Sequence, residues 1–339
     1  MRAFGALVAA LAGFVWVSAA AAPSFNWALP KGVAPPPVPA DNPMTPEKVE
    51  LGERLFVEPA LSRDFSMSCD TCHQRHRGFS ETLSTHPGVD EQAGKRNAPG
   101  LANVGYFSVL TWANPANRTL EAQASDPIFG EHPVEMGMAK MEAELIRRLS
   151  ADACYRRQFA AAFPEETDPI SIKTVVKALG AFQRTLLSFN APYDRAQRGE
   201  PVAFSGQAMQ GAVLFEQKNC RSCHSGQNFT DNSFHDIGLP PASRDAGLIE
   251  KTGEQRDANR FRTPSLRNVG VTGPFMHDGS ISSISGSILA HTRGKGGGKA
   301  PAISADEAAA LSLFLETLTD KTFIESKASG GSDRRCEAP

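Results

Sequence analysis

The chain has 339 residues and a formal net charge of −2, and 41% of its residues are hydrophobic. This length suggests two domains and is enough to bury a sizeable core. Acidic and basic residues are interspersed without long blocks of one sign, which argues against a nucleic-acid-binding protein.

The first 22 residues have the order of segments found in a secretory signal peptide. Arg2 is followed by an apolar run over residues 4–17 and then by small residues, which correspond to the charged, hydrophobic and cleavage-site regions. Later stretches fall short of the roughly 18 apolar residues that a membrane helix needs. We therefore expect a mature periplasmic chain that does not associate with a membrane once the signal is cleaved. An uncleaved anchor is the alternative.

Residues 23–43 are rich in proline, which denies the backbone helical hydrogen bonds and predicts an extended lead-in. Thr45 and Pro46 then supply an N-cap and a first-turn proline, and a helical stripe of apolar residues follows up to Phe56. The region 80–133 is predicted to be mostly loop. Further helices are predicted over residues 141–149, 170–188, 205–215, 281–291 and 304–318.

A CxxCH sequence occurs twice in the chain. In this motif two thiols attach covalently to a haem and the adjacent histidine ligates its iron. A zinc knuckle or a redox disulfide would not require the histidine. We therefore predict two covalently bound haem c groups, with two proximal histidines. The residues predicted to hold them are Cys69, Cys72 and His73 in the first copy and Cys220, Cys223 and His224 in the second.

Because a predicted helix and a loop precede each motif, we expect a mainly α fold with two tandem cytochrome c-type haem domains and long loops. The predicted parts are a signal peptide at 1–22, the lead-in at 23–43, an N-terminal haem domain at 44–198, a C-terminal haem domain at 199–326 and a tail at 327–339. The two remaining cysteines, Cys154 and Cys336, are either a disulfide or two unrelated thiols, and their spacing does not decide between these.

An ordered set of further motifs resembles the bacterial di-haem cytochrome c peroxidase and MauG superfamily, from about residue 44 to 320. The motifs are RNAP at 96–99, Trp112, EAQ at 121–123, PVEMG at 133–137, FRTPSLRN at 261–268 and PFMHDG at 274–279. Within the superfamily the chain is most similar to the MbnH subgroup, which is associated with methanobactin and copper uptake. The segments that carry this likeness are FNW at 25–27, PADNPM at 39–44, LTWANP at 110–115 and NFTD at 228–231.

The resemblance implies an enzyme that uses hydrogen peroxide at the first haem and transfers electrons through the second. For the subgroup it implies oxidation of tryptophan to kynurenine on MbnP, a secreted copper-binding partner. One alternative is an ordinary di-haem cytochrome c peroxidase, which takes electrons from small cytochromes or cupredoxins. A second alternative is a passive di-haem electron carrier.

The resemblance also implies roles for individual residues. Glu135 matches the distal carboxylate that handles protons during O–O cleavage, and Gln123 and Pro127 match residues lining the same pocket, although two residues are inserted between Pro127 and Glu135. Trp112 matches a tryptophan that relays electrons between the haems. The alternative interpretations, without a role in catalysis, are a surface glutamate for Glu135 and core packing for Trp112.

A calcium site between the domains is implied by the match of Asn97 and of the backbone carbonyls of Thr272 and Pro274 to the family's calcium ligands. Oxygen ligands of this type suit calcium. From its own sequence context, Asn97 would be interpreted as a turn residue.

Two departures from the family pattern concern the ligand that would bind each haem iron opposite the motif histidine. His86, the histidine of the loop before the RNAP motif, is out of register with the family ligand, so we expect an exposed loop residue and a five-coordinate first haem. For the second haem, counting from Pro274 places His291 at the sixth-ligand position. Met276 is the alternative ligand, and a solvated histidine at a helix end is the alternative for His291.

Overall fold

The computed structural model describes residues 25–239, 245–293 and 301–326. The predicted signal peptide and the tail, with Cys336, lie outside the described residues. Within the described part, no helix is long and apolar enough to cross a membrane. Cys154 is buried and disulfide-bonded.

The described chain is mainly helical, as the sequence predicts. Two short strands, β1 (Phe234–His235) and β2 (Phe261–Arg262), pair antiparallel. The helices are α1 (Pro46–Phe56), α2 (Cys69–Cys72), α3 (Leu120–Phe129), α4 (Glu142–Ala151), α5 (Ala153–Ala162), α6 (Ile172–Arg184), α7 (Pro192–Gln197), α8 (Gly206–Gln217), α9 (Ile249–Thr252), α10 (Ile284–Arg293), α11 (Ala305–Glu316) and α12 (Lys321–Ile324).

The region predicted to be mostly loop is mostly loop, but it contains helix α3, which the sequence did not predict. Thr119 caps its start, since the Thr119 hydroxyl accepts a hydrogen bond from the Ala122 N–H at 3.2 Å. Pro127 lies within it and weakens its sequence signal. Leu120, Ala124 and Ile128 share one helix face and are buried. Packing of this face against the core therefore stabilises a helix that its sequence alone does not favour.

The buried apolar residues form two clusters, one in each half of the chain. The first is built largely on α1, α3, α4, α5 and α6, and includes Leu51, Leu55 and Phe56. The second is built on α8 and α11, and includes Leu214, Phe215 and Phe314. Each cluster thus contains the helix that precedes one of the two CxxCH motifs.

The two clusters repeat one helix crossing. A Cβ atom added to Gly52 of α1 would lie 2.0 Å from the carbonyl oxygen of Ala178 in α6. The same addition to Gly211 of α8 would lie 2.0 Å from the carbonyl oxygen of Ala310 in α11. Neither crossing leaves room for a side chain on its glycine, so both helices that lead into a CxxCH motif are held at close range by a second helix.

The lead-in lies along the first half of the molecule as an extended segment. The side-chain amide of Asn42 donates to Glu121 Oε1 at 2.6 Å and to the Lys177 carbonyl at 3.0 Å. The Tyr106 hydroxyl donates to the Ala34 carbonyl at 2.7 Å. These contacts fix a segment whose prolines prevent regular secondary structure.

Candidate functional site

In the first CxxCH motif, a hydrogen bond to one ring nitrogen fixes the orientation of the histidine. Helix α2 carries Cys69 and Cys72, and His73 follows directly. His73 Nδ1 donates to the Phe79 carbonyl at 2.8 Å, which leaves Nε2 for a metal. Burial lowers the pKa of His73, so the ring is neutral and able to act as a ligand. Burial also raises the pKa of Cys69 to about 12.

The second motif repeats this arrangement and adds a second histidine. His224 Nδ1 donates to the Phe229 carbonyl at 3.1 Å, and His291 Nδ1, on α10, donates to the Ser287 carbonyl at 2.8 Å. Both Nε2 atoms are therefore left for a metal. Burial, and then the proximity of His291, lower the pKa of His224 to about 4.

The two rings of the second site are spaced as the ligands of one metal ion would be. The ring centres of His224 and His291 lie 6.4 Å apart. Two imidazoles that each bind the same ion at about 2 Å place their ring centres roughly 6 Å apart. Met276 lines the same cavity. The ring spacing nevertheless favours His291 as the residue opposite His224.

A cavity of about 670 Å³ contains the second site and reaches towards the first half of the chain. Cofactor pockets generally have volumes of about 300–1,000 Å³. All four cysteines of the two motifs are free thiols, as covalent haem attachment requires. The residues of both motifs therefore fit haem c. The residues that line the cavity include Trp112, Cys220, Cys223, His224, Arg262 and His291.

Glu135 lies close to the first motif. Its carbonyl accepts a hydrogen bond from the Val89 N–H at 2.8 Å, and the next residue, Met136, donates to the Pro127 carbonyl at 2.9 Å. The second bond closes the inserted loop, so the two extra residues do not carry Glu135 away from Pro127. Gln123 and Pro127 are four residues apart on α3 and share one face. The structure therefore brings all three residues to one region.

The Glu135 side chain is exposed, yet protein atoms surround it closely enough for desolvation to raise its pKa. Glu135 is therefore accessible to solvent, although neighbouring protein atoms partly desolvate its carboxylate. The carboxylates of Asp126 and Glu81 raise this pKa further, whereas His86 lowers it. A raised pKa makes the ionised carboxylate of Glu135 a stronger proton acceptor than an ordinary glutamate.

Trp112 is buried and connects segments from the two halves. Its Nε1–H donates to the Asn97 carbonyl at 2.8 Å, and its own carbonyl accepts a hydrogen bond from the Arg262 N–H at 2.8 Å. Because Trp112 also lines the cavity of the second site, it occupies the border between the halves.

The three residues implied as calcium ligands, Asn97, Thr272 and Pro274, line one cavity. The Asn97 amide nitrogen donates to the carbonyls of Leu83 and Ser84 at 3.0 and 3.2 Å, so its Oδ1 atom is the one that faces away from these bonds.

His86 is half-buried, so the expectation of an exposed residue is wrong. The loop folds back on itself, with Gly94 N–H donating to the His86 carbonyl at 3.2 Å. A ring nitrogen of His86, a carboxylate oxygen of Glu81 and Cys72 Sγ all lie within 4.8 Å of one another. A second such group joins Cys223, Asp231 and His235. Each group includes a cysteine that haem attachment uses, so neither is an independent metal site.

Glu81 is a buried residue that sequence reasoning missed. It is only 1% exposed, and its Oε1 accepts a hydrogen bond from the Ala98 N–H at 3.0 Å. Its other oxygen is buried without a hydrogen-bond partner among the described residues, and desolvation raises its pKa. No sequence pattern separates Glu81 from an exposed loop glutamate.

A family model for the di-haem cytochrome c peroxidases matches residues 46–201. The methylamine utilization protein MauG of Methylorubrum extorquens is 40% identical over 294 residues, which cover 83% of this chain and 81% of that protein. The chain belongs to the di-haem cytochrome c peroxidase and MauG family. The cytochrome c551 peroxidase of Pseudomonas aeruginosa is 30% identical, over 82% of this chain and 80% of that protein.

One solved structure matches the chain over most of its length. It is a MauG-like protein associated with microbial copper homeostasis, with a TM-score of 0.85 and 37% identity over 90% of this chain and 98% of that chain. The protein is therefore a di-haem oxidoreductase of the peroxide-using type, with two cytochrome c-type domains and two haem c groups. An enzyme family of this kind does not support the passive-carrier alternative.

Proposed function

We propose that this enzyme acts in the periplasm and uses hydrogen peroxide to oxidise a tryptophan of a secreted copper-binding protein, of the MbnP type, to kynurenine. The observation that carries the proposal is the match to the MauG-like protein associated with copper homeostasis, at 37% identity over 90% of the chain. The MbnH-like segments of the sequence support the same subgroup. The proposed domain roles are peroxidatic for residues 44–198 and electron-transferring for residues 199–326.

When bound, the haem on His73 would supply an iron that reacts with peroxide, and the haem on His224 a second redox centre. Glu135 is the proposed proton handler beside the first of these. Its carboxylate would take a proton from one oxygen of the peroxide and deliver it to the other, as O–O cleavage requires. Gln123 and Pro127 shape the wall of this pocket and limit the space beside Glu135.

His291 is the proposed sixth ligand of the second haem. A second imidazole favours the oxidised states of the iron more than the methionine that the family's peroxidases have at this position, because it is the stronger electron donor. The ring spacing to His224 supports this role. Trp112 is the proposed relay between the two haems, because it is an oxidisable side chain buried at the border of the halves.

The electrons balance if two molecules of hydrogen peroxide react for each tryptophan. The indole C2–C3 bond breaks and each carbon gains an oxygen, which removes four electrons and gives N-formylkynurenine. The peroxides take up these electrons, and two molecules of water are released. Hydrolysis of the formyl group then gives kynurenine and formate. In this proposal the oxidising equivalents reach the partner by way of the surface of the second domain.

A calcium ion held by Asn97 Oδ1 and the carbonyls of Thr272 and Pro274 is the remaining part of the proposal. The three residues line one cavity. Bound there, a cation would hold the segment before Trp112 against the segment that follows the second motif.

The experiment that tests the proposal is intact-mass analysis of a candidate partner. The purified diferric enzyme is mixed with peroxide and a secreted copper-binding protein encoded beside it, and the partner is weighed and its tryptophans mapped. We expect a mass change that matches kynurenine at one tryptophan, and no change without peroxide. An unchanged partner, together with rapid peroxide-dependent oxidation of a reduced small cytochrome, would contradict the proposal.

That contrary outcome corresponds to the second candidate function, an ordinary di-haem cytochrome c peroxidase. The observation that favours it is the 30% identity with the cytochrome c551 peroxidase of Pseudomonas aeruginosa. It uses the same proton handling at Glu135, and differs only in taking electrons from a small cytochrome or cupredoxin rather than from a residue of a partner protein.

A further inference from the structure

Three arginines are buried in the described part of the chain: Arg184, Arg262 and Arg267. Two of them have a carboxylate partner. Arg184 donates to both oxygens of Glu121 at 2.7 and 2.9 Å. Arg267 donates to both oxygens of Asp194 at 2.8 and 2.9 Å. These bidentate pairs are the usual way in which a protein holds a buried guanidinium.

Arg262 is the exception. It is 3% exposed, and the described residues place no carboxylate within ion-pair distance of it. Its side chain donates to the carbonyls of Thr111 at 3.2 Å and Thr263 at 3.3 Å. Burial alone lowers its pKa to about 10, still well above neutrality. The guanidinium therefore carries a positive charge that the described side chains do not compensate, which is unfavourable in a protein interior.

The surroundings of Arg262 indicate where the missing negative charge comes from. Arg262 lines the same cavity as Cys220, Cys223, His224 and His291. A haem bound by those residues brings two carboxylate side chains into this cavity. The protein carboxylate that lines this cavity, Asp236, accepts a hydrogen bond from the Gly238 N–H at 2.7 Å, and no described carboxylate forms an ion pair with Arg262. Asp231, which lies on the same segment, is paired with His235 at 2.7 Å. The haem carboxylates are therefore the anions that fit an otherwise uncompensated arginine.

We propose that Arg262 pairs with a carboxylate of the second haem, raises the reduction potential of that haem, and links it to the segment that carries Trp112. A cation beside a haem carboxylate cancels negative charge that would otherwise stabilise the ferric iron. The inference rests on membership of the di-haem family and on the cavity, and it does not depend on which substrate the enzyme oxidises.

The link to Trp112 is direct. The Arg262 N–H donates to the Trp112 carbonyl at 2.8 Å, and Arg262 Nε donates to the carbonyl of the preceding residue, Thr111. The guanidinium also lies 5.5 Å from the centre of the Phe107 ring. Arg262 is therefore a positioning residue whose backbone and side chain both hold the proposed relay segment next to the second haem.

The test is a redox titration of the holoenzyme with Arg262→Met, followed by optical spectra of both haems. We expect the midpoint potential of the second haem to fall and that of the first to stay at its wild-type value. Arg256→Met is the matched control, because Arg256 is exposed six residues before Arg262 and its loss removes the same charge. The control should leave both potentials unchanged.

Two further variants keep the test decisive. Arg262→Gln is a neutral, polar replacement for use if the methionine variant does not accumulate with both haems. Arg262→Lys retains the charge and should recover most of the lost potential. The proposal is overturned if a neutral variant with both haems keeps the wild-type potential, or if the potential falls as far with lysine as with the neutral residues.

Discussion

The two haem sites share one scaffold and differ on the far side of the iron. In each half, a helix carrying an obligatory glycine at a tight crossing leads into a CxxCH motif. In each, the motif histidine donates through Nδ1 to a backbone carbonyl: His73 to Phe79, and His224 to Phe229. The proximal side is thus built the same way twice, from the same local sequence.

The other residues around the two motifs have different chemistry. Near the first motif lie titratable groups, Glu135, Glu81 and His86, and two of them are carboxyl groups with raised pKa values. Facing the second motif are His291 and the uncompensated cation of Arg262. Proton donors and acceptors suit bond cleavage, whereas a second ligand and a fixed charge suit electron storage. If the proposed roles of the two halves hold, these surrounding residues, and not the repeated scaffold, separate them.

The largest expected effect is on the first site. Glu135→Gln removes the proton acceptor while preserving shape, so we expect both haems to be retained and the rate of peroxide activation to fall by about 10²–10⁴-fold. Stopped-flow spectra measure this rate. Glu131→Gln is the matched control, because Glu131 lies on the same loop but its carboxylate is paired with Lys140. Equal rates in wild type and Glu135→Gln would remove Glu135 from its proposed role.

The pH dependence of the same rate sharpens the assignment. Glu135 accepts a proton only when ionised, and desolvation together with Asp126 and Glu81 raises its pKa above the ordinary glutamate value. Activity should therefore be lost as the pH falls through this raised pKa, and it should be fully present above it. In Glu135→Gln this acid limb should disappear. If the limb persists unchanged in the variant, another group controls it.

At the second site we expect a change of spin state. His291→Gly should convert the second haem from low-spin to high-spin, because the ring opposite His224 is lost. Met276→Leu is the control and should leave the spectrum unchanged. Magnetic circular dichroism distinguishes the cases. A methionine-ligated spectrum in the wild type, lost in Met276→Leu, would instead make Met276 the ligand.

Between the sites, Trp112→Phe tests the connection. The substitution keeps an aromatic ring but removes the readily oxidised indole and its hydrogen bond to the Asn97 carbonyl. Peroxide binding at the first haem should be unaffected, while electron sharing and partner oxidation should both slow severalfold. Rapid-mixing spectra at the two haem absorption bands measure both steps. Unaltered sharing would mean that electrons cross by a route that avoids Trp112.

The smallest expected effect is on stability, and it tests the shared scaffold. Gly52→Ala and Gly211→Ala each force a Cβ atom against a carbonyl oxygen 2.0 Å away, so each should lower the free energy of unfolding by about 1–3 kcal/mol. Gly206→Ala is the control, because nothing lies within 4 Å of the added atom. Thermal unfolding of the three variants gives the comparison. A large effect in one half only would show that the crossings are not equivalent.

The sequence predicted the repeated part of this molecule well. The CxxCH motifs depend on local spacing, and capping signals at Thr45 and Pro46 correctly predicted where α1 begins. Helix α3 was missed because Pro127 and its polar neighbours hide a buried face that only tertiary contacts stabilise. Local signals were therefore sufficient where the chain determines its own structure, and insufficient where distant packing decides.

The distal residues were harder to predict for the same reason. His86 was expected to be exposed, but a fold-back of its loop places it beside Cys72 and Glu81. The burial of Glu81 depends on the backbone of Ala98. Arg262 was part of a recognised motif, yet its lack of a carboxylate partner could be seen only in three dimensions. Resemblance to the family supplied Glu135 and His291, which composition and spacing could not single out.

The most direct test of the contrast between the two sites is the low-temperature electron paramagnetic resonance spectrum of the diferric wild-type enzyme. A first iron that is open on its far side and a second iron held by two histidines predict one high-spin signal and one low-spin signal typical of paired imidazoles. The high-spin signal should be the one that changes when peroxide is added. Two low-spin signals in the resting enzyme would contradict this account, because both irons would then be closed to peroxide.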